Sequence, residues 1–222
     1  MSRVKVKICG IRSFEEARLA LELGVDAVGF NFWKGSRRYM EPDVAARIIG
    51  RIKDPFAAFV GVFVNEAEDV LHKVCSGVGL TAVQLHGDES VEYCRSLSEK
   101  LGAVRIIKAV RVGSEFDPAS VAAYPAAAIL LDTHVAASYG GTGQSFDWSN
   151  AIKAKAFAPI ILAGGITAYN VAEAIQSVTP AGIDVCSGVE SEPGRKNPEK
   201  MKALMQAVEL ATSSVAATRA GI

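Results

Sequence analysis

The sequence lacks the features that mark nucleic-acid-binding, membrane and disulfide-rich proteins. Lys plus Arg and Asp plus Glu each total 24, so no net charge attracts nucleic acid or a lipid surface. No apolar run is long enough to cross a bilayer. The four cysteines, Cys9, Cys75, Cys94 and Cys186, lie far apart without a CxxC pair, which argues against zinc and a disulfide framework. We therefore expect no metal or other cofactor, no nucleic-acid or membrane partner, and a reducing cytoplasm.

The N-terminal segment alternates charged and apolar residues, which predicts a strand and neither a signal peptide nor a transit peptide. A monomer is expected, and a homodimer is left open.

Strand-like and helix-like segments alternate along the whole chain. The strand-like segments are residues 4–9, 26–33, 57–63, 81–85, 104–110, 126–131, 159–163 and 183–186. Strict alternation predicts a parallel sheet, and units of similar length favour a single (β/α)8 TIM barrel over an open doubly wound sheet. Ser13 and Asn65 are expected to cap helices. No linker separates the units, so residues 1–222 are expected to form one domain with a frayed tail over 211–222.

Two side chains at predicted strand ends are candidates for acid–base chemistry. The first strand ends at Cys9, and Lys7 lies on the same face, where it can favour the thiolate. Asp132 follows an apolar strand, and partial desolvation there raises the pKa of a carboxyl group and suits it to act as a general acid. Each has a structural alternative: a buried Cys or a loop and helix-capping Asp.

Glycine-rich and basic loops suggest ligand binding. Gly164-Gly165 and Ser187-Gly188 follow strands seven and eight, where barrels often bind phosphate, although such glycines also make tight turns. The residues 140–143 are rich in glycine but lack a P-loop ending, so a mobile lid is favoured there. Arg37 and Arg38 form either a solvated basic turn or a carboxylate-binding site. His86 and His134 could reach a ligand, and no Ser-His-Asp order or metal triad is found.

Taken together, these strand ends resemble the phosphoribosylanthranilate isomerase family of tryptophan biosynthesis. The resemblance runs from Val4 to about Leu210 and rests on a series of motifs in order. They are Lys7-Ile8-Cys9-Gly10-Ile11, Ala27-Val28-Gly29-Phe30, Ser36-Arg37-Arg38-Tyr39, Val60-Gly61-Val62-Phe63-Val64-Asn65, Val83-Gln84-Leu85-His86-Gly87, Leu130-Leu131-Asp132-Thr133, Tyr139-Gly140-Gly141-Thr142-Gly143, Phe146-Asp147-Trp148, Gly164-Gly165 and Ser187-Gly188-Val189-Glu190.

The resemblance implies an Amadori rearrangement of N-(5′-phosphoribosyl)anthranilate to 1-(2-carboxyphenylamino)-1-deoxyribulose 5-phosphate. It implies that Asp132 is the general acid that opens the sugar ring and that Cys9 is the general base that removes the C2 proton. Arg38 would hold the anthranilate carboxylate, and the loops after strands seven and eight would hold the phosphate. The further substrate-binding residues expected are Gln84, His86, Gly164, Gly165, Asp184, Ser187 and Gly188.

The sequence departs from the family pattern at Arg12, where a threonine is more usual, and at Ala163 and Cys186, which replace serines. Strands one and eight are neighbours in a closed barrel, so Cys9 and Cys186 could face each other, and their oxidation would then inactivate the enzyme. Whether they can pair is left open. Lys7 and Asp184 are expected to form an ion pair inside the barrel.

Two rival functions are weighed. Another phosphosugar enzyme on the same barrel would need metal-ligand histidines or lysine–glutamate machinery, which the strand ends do not show. A non-catalytic phosphate-ligand binder would not need both Cys9 and Asp132.

Overall fold

The chain folds into a closed barrel of eight parallel strands. The computed structural model describes residues 3–132 and 148–220. The strands pair in sequence order around the ring, and the last strand returns to pair with the first. They are β1 (Lys5–Cys9), β2 (Ala27–Asn31), β3 (Ala58–Phe63), β4 (Ala82–Leu85), β5 (Arg105–Arg111), β6 (Ala128–Asp132), β7 (Ile160–Ala163) and β8 (Gly182–Val185). The predicted (β/α)8 barrel is confirmed.

Helices surround the barrel and cover its apolar outer face. They are α1 (Phe14–Glu22), α2 (Pro42–Arg51), α3 (Glu68–Val78), α4 (Val91–Leu101), α5 (Ser149–Ala154), α6 (Val171–Val178) and α7 (Pro198–Ala220). A 3₁₀ helix, Pro118–Ala123, joins β5 to β6, and a second, Ser187–Val189, leads from β8 into a hairpin of β9 (Glu190–Glu192) and β10 (Arg195–Lys196). No helix of the described residues is both long and apolar enough to cross a membrane.

Two local predictions have opposite outcomes. Ser13 caps α1 as expected, because its Oγ accepts the Glu16 N–H at 3.1 Å. The prediction that Asn65 caps a helix is wrong, because α3 begins only at Glu68. Asn65 adopts a positive φ of 50°, and its Oδ1 accepts the Asp88 N–H at 2.7 Å, which ties the end of β3 to the loop after β4.

The last helix is longer than the sequence suggested. The backbone of α7 continues to Ala220, past Ala211, where a frayed tail was predicted to begin. Fraying of that segment stays a prediction. Ala211 is buried, and the segment beyond it is rich in alanine, the best helix former. Glycine and proline are missing between residues 199 and 220, so nothing there interrupts a helix. The predicted lid at 140–143 and His134 lie outside the described residues.

An ion pair lies inside the barrel, beneath the rim formed by the C-terminal strand ends. Lys7 and Asp184 are directly paired across β1 and β8, and Lys7 Nζ donates to both Asp184 carboxylate oxygens at 2.9 Å. Both residues are less than 10% exposed: 5% for Lys7 and 8% for Asp184. The predicted ion pair is confirmed. Burial raises the pKa of Asp184 to about 6, even though Lys7 opposes this shift.

We expect Asp184→Leu to lower the free energy of unfolding by about 3–5 kcal/mol, because it leaves the Lys7 ammonium buried without its counter-ion. Adding Lys7→Met should restore most of that loss, because an apolar pair of similar volume needs no solvation. Urea unfolding of both variants measures this. Lys5→Met is the matched control, because the neighbouring Lys5–Asp26 pair is exposed on its lysine side and should contribute about 0–1 kcal/mol. A double variant as unstable as Asp184→Leu alone would contradict the expectation.

Candidate active site

Cys9 and Asp132 lie on the same rim of the barrel. Each is the last residue of its strand, Cys9 in β1 and Asp132 in β6, and only β7 and β8 separate these strands around the ring. The strands are parallel, so all their C-terminal ends meet at this rim, which is where barrels of this kind carry their chemistry. The sequence-based placement of both residues at the rim is therefore correct.

Space for the Cys9 thiol comes from a glycine on the neighbouring strand. Gly29 of β2 is directly opposite Cys9. A Cβ atom at position 29 would lie 3.0 Å from Cys9 Sγ and 3.1 Å from Lys7 Nζ. A side chain there would therefore compete with both groups. In the sequence, Gly29 stands out only as part of a motif, and no function was predicted for it.

The surroundings of Cys9 favour its thiolate. A hydrogen bond from the Cys186 thiol lowers the pKa of Cys9 well below its ordinary value, against the opposing effect of burial. The positive charges of Lys7 and Lys196 lower this pKa further. The same hydrogen bond, together with burial, raises the pKa of Cys186, so Cys186 stays a thiol and acts as the donor. Cys9 can therefore act as a base near neutral pH.

We expect Cys186→Ala to raise the pKa of Cys9, because the variant removes the hydrogen bond to the thiolate. The acid limb of the kcat/KM profile should then move to higher pH, and so should the pH dependence of Cys9 alkylation by iodoacetamide. Cys186→Ser is the matched control, because a serine hydroxyl can still donate. An unchanged Cys9 alkylation profile in Cys186→Ala would show that this hydrogen bond does not set its acidity.

Arg38 is held in place by a buried carboxylate. Its Nε and Nη2 donate to the two carboxylate oxygens of Glu190 at 2.8 and 2.6 Å. Lys196 Nζ donates to Glu190 Oε1 at 2.9 Å and to the Cys186 carbonyl oxygen at 3.1 Å. Burial opposes the charge on Glu190, but the hydrogen bonds from Arg38 and Lys196 outweigh it and hold the pKa of Glu190 below its ordinary value. The Glu190 carboxylate thus binds two cationic side chains, Arg38 and Lys196, close to the two cysteines.

Sequence reasoning missed the contributions of Glu190 and Lys196. Glu190 was visible only as the end of the Ser187–Glu190 motif, and Lys196 belongs to no motif. Arg38 and Glu190 are 152 residues apart, and only the closed barrel brings them together.

Three polar side chains, Gln84, His86 and Asp132, lie in a row from the barrel interior to the rim. Gln84 Nε2 and His86 Nδ1 are 2.8 Å apart, and His86 Nε2 lies 3.4 Å from Asp132 Oδ2. With the Gln84 amide as donor, Nδ1 accepts, and the hydrogen of the neutral ring lies on Nε2, toward Asp132. His86 can therefore orient the Asp132 carboxyl group.

A second buried ion pair supports the loop that carries His86. Glu89 Oε2 accepts from Lys108 Nζ at 2.8 Å, and Glu89 Oε1 accepts the Asn65 N–H at 2.9 Å. Both oxygens of Glu89 also accept the Gly87 N–H, at 3.1 and 3.0 Å. No function was predicted for Glu89 or Lys108, because an isolated acidic or basic residue in the sequence does not indicate an ion pair. The two residues meet only when β4 and β5 pair.

The loops after β7 and β8 pack directly against each other. Gly164 and Gly165 have φ angles of 83° and 66°, which side-chain-bearing residues rarely adopt. A Cβ atom at Gly188 would lie 1.9 Å from the Ile166 carbonyl oxygen, so a larger residue would push the two loops apart. Ser187 is exposed beside this contact. The glycines are thus required by local geometry, whichever ligand the loops bind.

Two of the predicted substrate-binding residues are buried below the rim. Gln84 is 1% exposed and Asp184 is 8% exposed. The side chain of Gln84 contacts His86, and that of Asp184 contacts Lys7. This geometry favours indirect action through those neighbours. Among the described residues, no group of three or more His, Cys, Asp or Glu side chains could hold a metal ion.

An acid candidate and a base candidate on one barrel rim place the chain among the (β/α)8 enzymes that move protons on small substrates. Comparison with known proteins narrows this class. The profile of the N-(5′-phosphoribosyl)anthranilate (PRA) isomerase family matches residues 6–207. The chain therefore belongs to this isomerase family.

Individual relatives agree with the family profile. The N-(5′-phosphoribosyl)anthranilate isomerase of Citrifermentans bemidjiense is 47% identical over 201 residues, covering 90% of this chain and 95% of the relative. The phosphoribosyl anthranilate isomerase structure from Thermotoga maritima is 42% identical with a TM-score of 0.83, covering 93% of this chain and 98% of that one. A family structure in complex with reduced 1-(o-carboxyphenylamino)-1-deoxyribulose 5-phosphate has a TM-score of 0.82 and 40% identity, covering the same shares.

Proposed function

We propose that Cys9 and Asp132 of this family member catalyse the Amadori rearrangement of N-(5′-phosphoribosyl)anthranilate in tryptophan biosynthesis. The product is 1-(2-carboxyphenylamino)-1-deoxyribulose 5-phosphate. The observation that carries the proposal is the environment of Cys9, a rim thiol that shares the space beside Gly29 with Lys7 Nζ. The Cys186 thiol and the charges of Lys7 and Lys196 lower the pKa of Cys9. A structural cysteine needs no such neighbours, whereas a general base does.

The first step is opening of the sugar ring. Asp132 donates a proton to the furanose ring oxygen, and the C1–O bond breaks while the anthranilate nitrogen forms a Schiff base with C1. His86, 3.4 Å from Asp132 Oδ2, supports this step by orienting the carboxyl group.

The second step is removal of the proton from C2. The Cys9 thiolate takes this proton, and its electron pair forms the C1–C2 double bond of an enolamine while the Schiff-base nitrogen becomes neutral. Loss of the C2 hydroxyl proton and protonation of C1 then give the ketone. The positive charges of Lys7 and Lys196 stabilise the thiolate form between turnovers.

Arg38 is proposed to bind the anthranilate carboxylate. Glu190 occupies Nε and Nη2, which fixes the guanidinium plane and directs the remaining amino group, Nη1, to the substrate. The loops containing Gly164, Gly165, Ser187 and Gly188 are proposed to bind the phosphate. Their support is the close backbone approach that glycine allows and the position after β7 and β8.

We expect Arg38→Met to raise KM about 10- to 100-fold with a smaller change in kcat, since a hydrogen bond to a charged group contributes about 1.5–3 kcal/mol. Steady-state kinetics with the anthranilate substrate measure this. Arg37→Met is the matched control, because Arg37 is its exposed neighbour in the same loop. Equal effects from both substitutions would indicate a general loss of positive charge and no specific contact by Arg38.

The direct test of the function is loss of anthranilate fluorescence when the protein is added to freshly prepared phosphoribosylanthranilate. Wild type should accelerate the loss, and the product should appear as the deoxyribulose phosphate by mass spectrometry. A protein that binds the substrate without converting it would instead be the non-catalytic phosphate-ligand binder.

The proposal extends to assembly and compartment. All residues assigned to the site come from one chain, so a monomer suffices for activity, although one relative from Thermotoga maritima is described as dimeric. The four cysteines are free, which suits a cytoplasmic location. Light scattering and cell fractionation test these two points, and a dimer that loses activity on dilution would contradict the first.

A further inference from the structure

Two thiols meet at the seam where the barrel closes. The last directly paired residues of β1 and β8 are Ile8 and Val185, and Cys9 and Cys186 follow them immediately. Adjacent strands are about 4.8 Å apart, within the Cα separation of about 4.4–6.8 Å that a disulfide requires. Both cysteines are free, and the effect of the Cys186 thiol on the pKa of Cys9 agrees with their proximity. The strand register therefore places Cys9 and Cys186 within the range in which a disulfide can form.

The pair is also accessible and chemically distinct from the other two cysteines. Cys186 is partly exposed, so a small oxidant can reach the pair from the rim. Lys196 Nζ lies 3.8 Å from Cys186 Sγ, which favours loss of its proton during a reaction. Cys75 and Cys94 are buried in helices, and burial raises the pKa of both thiols, to about 12 for Cys75.

We propose that Cys9 and Cys186 form a reversible oxidative modification site that reacts with hydroperoxides and switches the enzyme off through a disulfide. The loss of activity rests on the proposed function of Cys9 as the base. The bond itself does not depend on that function.

The chemistry requires one equivalent of peroxide. The Cys9 thiolate attacks a peroxide oxygen, the O–O bond breaks, and Cys9 becomes a sulfenic acid while hydroxide leaves and takes up a proton as water. Cys186 then attacks the Cys9 sulfur, the S–O bond breaks, and a second water leaves with the thiol proton. Two thiols are oxidised by two electrons, and one hydrogen peroxide is reduced to two waters. A dithiol reductant reverses the modification by thiol–disulfide exchange.

The test is treatment of the full chain with about one equivalent of hydrogen peroxide. Each sample is then compared with its own untreated rate. We expect activity to fall, the intact mass to decrease by two hydrogen atoms, and a non-reducing digest to contain one peptide linking Cys9 to Cys186. Dithiothreitol should restore both mass and activity.

Cys186→Ser is the matched variant, because its hydroxyl can still donate to Cys9 but cannot form a disulfide. The first equivalent of peroxide should convert Cys9 of this variant to the sulfenic acid, and a second equivalent should convert it to the sulfinic acid. Dithiothreitol should then not restore activity. A Cys75→Ser/Cys94→Ser double variant should respond as wild type does.

The modification site and the assignment of Cys9 as the base can be overturned by different results. Inactivation of wild type without the linked peptide, or equal recovery of wild type and Cys186→Ser after prolonged oxidation, would overturn the modification site. A linked peptide with full activity would support the modification site and would contradict the assignment of Cys9 as the base.

Discussion

Replacing Cys9 with serine is expected to lower kcat/KM by about 10²- to 10⁴-fold, the usual contribution of a general base. A serine hydroxyl fits the space beside Gly29 but holds its proton far more tightly than a thiol, so C2 deprotonation should become slow. The fluorescence assay measures the rate, and circular dichroism checks the fold. Cys94→Ser is the matched control, because Cys94 is fully buried in α4.

A substrate with deuterium at C2 makes this test specific to the step. In Cys9→Ser the deuterated substrate should react more slowly, with a primary isotope effect on kcat/KM. A variant that retains wild-type activity, or that loses activity without any isotope effect, would count against Cys9 as the base.

Replacing Asp132 with asparagine is expected to lower kcat/KM by a similar factor of about 10²–10⁴, because the amide cannot protonate the ring oxygen. The side chains have the same shape, so the contact with His86 should persist. Asp88→Asn is the matched control, since Asp88 is an exposed carboxylate on the loop that carries His86.

The two variants should differ in the step that they slow. Ring opening should limit the rate of the Asp132→Asn variant, so deuterium at C2 should leave that rate unchanged. A primary isotope effect in Asp132→Asn equal to that in Cys9→Ser would place both residues at the same step and contradict their separate assignment.

The fold and the two principal residues could be predicted because their signals are local. Period-two alternation that stops at Cys9-Gly10 identifies a strand and its end within six residues. The alternation of strands and helices then predicts the barrel, and the barrel predicts which ends share a rim. The family predicted from these strand ends is confirmed by a profile that matches residues 6–207. The catalytic assignments of Cys9 and Asp132 stay predictions until they are measured.

The features that were missed depend on long-range contacts or on weak local preferences. Lys196 and Glu190 are only six residues apart, but Glu190 also binds Arg38, which is 152 residues away in the sequence. The importance of the pair is visible only once this distant contact is known. Asn65 was predicted to cap a helix because asparagine is common at helix N-termini. It instead adopts a positive φ in a turn that directs the chain toward the loop after β4. The helix beyond Ala211 was missed because the helical spacing of apolar residues weakens there. Alanine has a high intrinsic helix propensity, so a helix can continue without that spacing.

The closure of the ring between β1 and β8 also sets when the enzyme can become active during synthesis. Cys9 lies in the first strand of the barrel and is made before its neighbours Asp184 and Cys186, which lie in and directly after the last strand. Lys7 and Asp184 are 177 residues apart, which at about 5–20 residues per second corresponds to roughly 9–35 s of translation. Throughout that interval one edge of β1 has no strand to pair with. The Cys9 thiol is thus made well before its environment, which forms only when the final strand leaves the ribosome.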